Sequence, residues 1–378
     1  MKIIISGDLY ISPHYGGKKL ISGSVERIFT ESDMNIVNLE TPITSNNKKN
    51  RISKTGPHLY THEETMIPYL KQINTDMVTL SNNHIMDYGE AGLLETLNTL
   101  QTNRIKYVGV GENINEASKP QTIKSKDVKI AILNYTYNEW STAEISKAGA
   151  NPLDVIDNVK QIKSAKDSHD KVILIIHGGH EYYHLPSPQI VKQYRFYVDN
   201  GADAIIGHHT HCIGGYEIYN NAPIIYSLGN FIFTIPSPKE EWYTGLLAEL
   251  YIERNTPILF KLHPVRQDRN NFSTRLMINK DKYEVLQNIK QINGIISDEK
   301  ELHAKWDAFL YKRSKLYLSL ISPHNALKNR YLRAIINKIG IMRFVINKRY
   351  SMFLLNLIRC ESHLDALKCI LKRNIENR

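Results

Sequence analysis

At 378 residues, 42% hydrophobic and 23% charged, the chain is long enough to bury a large core and ordinary enough in composition to be globular. It has no run of about 18 apolar residues, so no transmembrane helix is expected, and its three cysteines form neither a disulfide framework nor a thiol metal site. The net charge of +10 is unevenly spread: residues 1–265 hold 25 Lys and Arg against 28 Asp and Glu, whereas residues 266–378 hold 23 against 10.

In chain order, the run KIIIS is short, rich in β-branched residues, and ends at Gly7-Asp8. MNIVNLE ends at Glu40, and TDMVTLSNNH ends at Asn83-His84. EAGLLETLNTLQTN then has apolar residues at helical spacing, with acids near its start. KIAILNYT and KVILIIH are continuous apolar runs, the second closing on His177. ADAIIGHHTH runs into His208, His209 and His211, and PIIYSLGNFIF passes through Asn230. Unbroken apolar strands separated by helix patterns predict a sheet covered on both faces. From about residue 269 the character changes to amphipathic segments dense in Lys and Arg. The expected division is therefore a catalytic domain over 1–268 and a basic helical region over 269–378.

Polar, metal-competent side chains recur where apolar strands end: Asp8, Glu40, Asn83, His177, His209 and His211. In α/β folds ligands bind beyond the carboxyl ends of strands, so these groups are expected to converge on one rim. Mixed imidazole and carboxylate donors suit two divalent ions, Mn, Fe or Zn, rather than Ca. Glu40 is the natural bridging carboxylate between them. His209 and His211 are two apart and would point the same way from an extended segment. His84 is then free to act as an acid toward a leaving group, oriented by Asp87 three residues on. Lys54, between the second and third strands, is an expected contact for an anionic substrate. Glu181, His208 and Asn230 are further expected substrate contacts. Gly109 and Gly111 lack the full pattern of a dinucleotide site, and Cys212 is expected to be a small buried filler.

The segments SGDLY, NIVNLETPI, LSNNHIMDYGEAGLLETLNTL, VGVGENINEASKP, IHGGHEY, GADAIIGHHTH and IIYSLGNFIF together resemble the CapA family. That family is named for poly-γ-glutamate capsule synthesis proteins and lies within the calcineurin-like metallophosphoesterase superfamily. The resemblance implies an α/β fold, a four-layer αββα sandwich, with a dinuclear metal centre and phosphoester hydrolysis. It implies Asp8 as the first-metal aspartate, Glu40 as the bridge, and Asn83 and His84 as the ligand asparagine and catalytic histidine. His177 would serve the second metal, with His209 and His211 as the closing pair. The first strand reads Asp8-Leu9-Tyr10 where the superfamily commonly has Asp-x-His, so one ligand is missing unless His14 or His208 replaces it. Gly178 stands where the family often has Trp.

The function expected on these grounds is a metal-dependent phosphatase or phosphodiesterase in capsule or other cell-surface polymer synthesis. Its substrate would be a phosphorylated small molecule or polymer precursor. A non-hydrolytic assembly partner and a hydrolase of γ-glutamyl amide bonds are the alternatives. With no signal sequence ahead of the first strand, a cytoplasmic location is expected. The basic tail favours an anionic membrane or polymer over nucleic acid. Held to the inner face of a membrane by charge alone, it would be released by salt.

Overall fold

In the computed structural model, residues 1–45, 48–54, 56–320, 329–339, 346–359, 367 and 371 are described. The chain opens as β1 (Lys2–Tyr10), α1 (Gly23–Thr30), β2 (Met34–Leu39), α2 (Glu63–Gln72), β3 (Met77–Thr79), α3 (Gly89–Thr102) and β4 (Lys106–Val108). It continues through β5 (Val110–Gly111), α4 (Ile114–Ala117), β6 (Gln121–Lys124), β7 (Lys129–Thr136), β8 (Gly149–Ala150), α5 (Val155–Ser168) and β9 (Lys171–His177). Next come α6 (Pro188–Asp199), β10 (Ala204–His208), β11 (Tyr216–Tyr219), β12 (Ala222–Ile225) and β13 (Asn230–Phe233). The strands β14 (Thr244–Tyr251), β15 (Leu259–Gln267) and β16 (Thr274–Leu276) precede α7 (Asn279–Ser297) and α8 (Glu299–Leu320).

One sheet has the order β16-β15-β14-β1-β2-β3-β4, with β13 also paired to β1. A second has the order β11-β12-β10-β9-β7-β6, and β5 and β8 form a two-stranded sheet. In the second sheet β7, β9, β10 and β12 are mutually parallel and antiparallel strands close both edges. All seven residues of β9 are buried, as the unbroken run KVILIIH requires of a strand covered on both faces.

Alternation along the strands builds the layers. Ile3, Ile5 and Ile36 of the first sheet meet Ile173, Ile175 and Ile206 of the second in one core. Their neighbours Ile4, Val37 and Val78 turn the other way and pack with Val25, Leu70 and Leu93 of α1, α2 and α3. Leu133, Leu174 and Ile205 turn outward from the second sheet onto Ile162 of α5 and Tyr194 of α6. The result is a four-layer αββα sandwich.

The compact unit runs from Met1 to His303, so the division expected at residue 268 falls inside it. The reason is packing: β16 extends the first sheet, and α7 buries Ile289, Ile292 and Ile296. The remaining unit, Ala304–Arg378, holds most of α8 together with α9 (Arg330–Ile339) and α10 (Lys348–Arg359). The rest of the expected helical tail lies outside the described residues. No described helix is long and apolar enough to cross a membrane.

Where the central strands run past one another, space is lacking for any side chain. A Cβ placed on Gly7 would lie 2.1 Å from the carbonyl oxygen of Gly229, whose neighbour Asn230 opens β13. Gly7→Ala is therefore expected to lower stability by about 2–3 kcal/mol through overpacking. Gly23→Ala, at a helix start with no atom within 4 Å of the added carbon, is expected to be neutral or slightly stabilising. Thermal melting of the two variants checks this, and equal melting temperatures would contradict it.

Candidate metal centre

The carboxyl ends of β1, β2, β9 and β10 converge. Asp8 sits at irregularities in the pairing of β1, one against β2 and one against β13. Such bulges re-aim a strand residue. Its carboxylate is wholly buried. Oδ1 accepts from Asn38 Nδ2 at 2.7 Å and lies 3.1 Å from His208 Nδ1, while Oδ2 accepts from the backbone N–H of His209 at 3.2 Å. Burial alone would raise its pKa. The hydrogen bond and charge of His208, with His177 and His211 beyond, outweigh that and hold Asp8 below the usual carboxylate range.

Glu40 follows β2 directly and is also fully buried. Neither of its oxygens has a hydrogen-bond partner among the described residues. Its Oε1 instead faces three imidazoles, with His177 Nε2 at 3.7 Å, His211 Nε2 at 3.8 Å and His84 Nε2 at 3.9 Å. Burial pushes its pKa well above the ordinary value, and the nearby charges of Asp8, Glu181 and Asp87 add to the effect.

The two closing histidines arrive differently from the expectation. The strand stops at His208, and His209 and His211 both take positive φ, +83° and +54°. They converge because the chain coils in a sparsely populated conformation, not because it is extended. Such strain persists only where the surroundings over-determine it, and it clusters at functional sites. His209 Nδ1 lies 3.1 Å from His177 Nε2, which is 3.0 Å from Asn83 Oδ1. Burial, followed by the neighbouring imidazole charge, lowers the pKa of both; His209 falls to about 3 and His177 well below its ordinary value. Neutral imidazole is the form that binds metal.

Two groups of donors result: Glu40 with His177 and His209, and Asp8 with Glu40 and His211. Within each group the donor atoms lie within 4.8 Å of one another. Glu40 belongs to both. A buried carboxylate with no hydrogen bond among the described residues, facing imidazoles, is a donor set that suits divalent cations. The residues present fit that group.

His84 stands at the side. Its Nδ1 is 2.7 Å from Asp87 Oδ2. That contact assigns the proton to Nδ1 and turns Nε2 toward Glu40. Burial lowers the His84 pKa, against the opposing pull of Asp87. Lys54 pairs with Asp87 Oδ1 and lies 3.2 Å from His84 Nδ1, its side chain 3% exposed.

Three expected substrate contacts are placed otherwise. Lys54 is spent on Asp87, because that buried carboxylate needs a counter-charge. His208 is fully buried behind Asp8 and belongs to neither donor group. It therefore orients the aspartate rather than replacing the missing histidine, and His14 is exposed on a turn. Asn230 is buried, accepts from His211 Nδ1 at 2.9 Å and donates to the Trp242 carbonyl at 3.0 Å. It fixes a histidine ring. Glu181 is exposed and close enough for its charge to act on Glu40. Cys212 is buried, its thiol pushed up to about 12 by burial.

Residues missed from sequence complete the setting. Asn38 lies two before Glu40, so strand alternation could have found it. Trp242, from a segment with no local signal, packs its ring 4.7 Å from that of His211, and Phe233, at the end of the run PIIYSLGNFIF, lies 4.9 Å from the same imidazole.

Glu40→Gln is expected to lose most of the bound divalent metal, since both groups share it. His209→Ala should reduce about two equivalents of ion to about one. His84→Ala should leave the metal content unchanged. Elemental analysis after dialysis against Mn²⁺ checks all three. Equal metal in Glu40→Gln and the parent protein would contradict the shared role.

The family described as "Bacterial capsule synthesis protein PGA_cap" matches residues 3–235. The "PGA biosynthesis protein CapA" of Bacillus subtilis (strain 168) is 32% identical over 247 residues, 64% of this chain and 63% of that protein. The "Capsule biosynthesis protein CapA" of Bacillus anthracis is 33% identical over 231 residues, 59% of this chain and 53% of that protein. The chain thus spans less than two thirds of the length of these curated relatives. Among solved structures, a novel phosphatase from Mycoplasma pneumoniae aligns with a TM-score of 0.47 at 15% identity, covering 72% of this chain and 95% of that one. A hypothetical protein from Thermus thermophilus aligns with a TM-score of 0.44 at 12% identity, covering 71% and 100%. With more than half of its length matched, this chain belongs to the bacterial capsule synthesis protein family PGA_cap.

Proposed function

We propose that this protein is a metal-dependent hydrolase of phosphoester bonds that acts on a phosphorylated precursor of a capsule or other cell-surface polymer. One observation carries the reading: Glu40, fully buried and without a hydrogen bond, joins two donor groups while His84 faces it from the side. A pair of divalent ions held there, Mn, Fe or Zn, supplies Lewis acidity toward a phosphoryl oxygen. Asp8 and His211 would hold one ion, His177 and His209 the other, and Glu40 both.

The chain's own groups do the rest. Asp87 accepts the Nδ1 proton of His84, which fixes the tautomer and stabilises the imidazolium form. His84 Nε2 is then the atom that carries a proton to the departing oxygen. Lys54 offsets the Asp87 charge, so the pair is nearly neutral and its pull on the His84 proton is moderated. Glu181 at the rim places negative charge beside the entrance, which favours cation loading. The polymer assignment follows the names of the capsule and PGA biosynthesis relatives.

Protein loaded with Mn²⁺ is expected to hydrolyse a generic aryl phosphate ester. His84→Ala should lower kcat by roughly 10²–10⁴-fold while retaining metal. Asp87→Asn should lose roughly tenfold or more, because the wrong tautomer is then favoured. Unchanged rates in both variants would remove His84 from the chemistry.

A further inference from the structure

From Ala308 to Cys360 the chain carries 11 Lys and Arg and no Asp or Glu. The helices α9 and α10 lie in this stretch. In α9, Leu332, Ile335, Ile336 and Ile339 recur at helical spacing and share one face, with Tyr331 at its border. Tyr331, Leu332, Ile335 and Ile339 are exposed, by 44–66%. The same helix contains Arg330, Arg333 and Lys338 and no acid. In α10, Met352, Phe353, Leu355 and Ile358 are exposed by 53–63%, and the only charged residues are Lys348, Arg349 and Arg359.

We propose that α9 and α10 form an interfacial element that lies flat on an anionic lipid membrane, with its apolar faces at the acyl boundary and its cations among the headgroups. Charge and apolarity must both be met. A polyanion such as nucleic acid would meet the cations and leave the apolar faces in water. A second copy of the chain would cover the apolar faces but bring another set of cations against the first, with no acid to offset them. A bilayer with anionic lipids meets both needs. At 10 and 12 residues, against the roughly 20 a span requires, the helices lie on the surface and do not cross it. The apolar face alters the expectation from charge alone, because salt screens cations and leaves apolar insertion in place.

The test is sedimentation of the full-length protein with phosphatidylcholine vesicles, with and without about one third phosphatidylserine. Binding to the anionic vesicles is expected to be at least roughly tenfold tighter than to the neutral ones. A wash at about 1 M salt should weaken it without abolishing it. The triple variant Leu332→Ser, Ile335→Ser, Ile339→Ser is expected to bind at least roughly tenfold more weakly. Lys338→Gln with Lys348→Gln and Arg349→Gln should lose about a hundredfold, at about fivefold per cation. Both variants should melt as the parent does, since these positions are exposed. Failure to bind anionic vesicles, equal binding to neutral ones, or complete release by salt would each overturn the proposal. So would serine substitutions that leave binding intact, or that instead abolish self-association seen in sedimentation velocity.

Discussion

The structure is organised around a carboxylate that no donor among the described residues satisfies. Burying an ionised group costs several kcal/mol unless hydrogen bonds or counter-charges offset it, and Glu40 has no hydrogen bond at either oxygen. Burial lowers the pKa of His177 and His84, two of the imidazoles that face it, which weakens them as counter-cations. A cation shared between the two donor groups would resolve this imbalance. The surrounding polar contacts then have a common purpose. Asn38 and His208 hold Asp8, and Asn230 holds His211. Each fixes the direction of a donor before anything binds, which is how outer contacts tune metal ligands.

That arrangement depends on the sandwich as a rigid frame. Donors from the first sheet, Asp8 and Glu40, meet donors from the second, His177, His209 and His211, only because the inner faces of the two sheets are packed together. The bulged pairing at Asp8 and the positive φ of His209 and His211 are local departures from regular geometry at that junction. The apolar core beneath them is able to sustain such strain because close-packed interiors yield little. Beside this cation-demanding half, His84, Asp87 and Lys54 form a compensated trio. Two electrostatic regimes thus lie side by side, one that needs external positive charge and one that supplies its own.

A third regime of charge lies elsewhere in the chain. The Met1–His303 unit closes its own core, with α7 and Leu302 of α8 as its last contributions. Beyond it the chain is basic, acid-free over a long stretch, and carries apolar side chains that its own described fold leaves exposed. A globular domain normally buries such residues. Their exposure together with one sign of charge separates this part from the Met1–His303 unit in physical character as well as in sequence.

Much of the fold was legible because continuous apolar runs such as KVILIIH and KIIIS have only one comfortable setting, the middle of a covered sheet. The strand-end positions of Glu40, His177 and His209 were legible for the same reason: a polar side chain at the end of a buried strand lies at the rim. Asn38 was within reach of strand alternation. What could not be read was direction. Lys54, His208 and Asn230 were each expected to face a substrate, and each turned inward to a charge or a ring contributed by a distant segment. The chain coil that brings His209 and His211 together likewise differs from the extended path that spacing suggested. By itself, then, the sequence determined which groups reach the rim, because burial and periodicity are local properties. Only the tertiary structure decided which of them gather as donors, which support and which neutralise. Those roles depend on distances between residues far apart in the chain, set by how the two sheets pack.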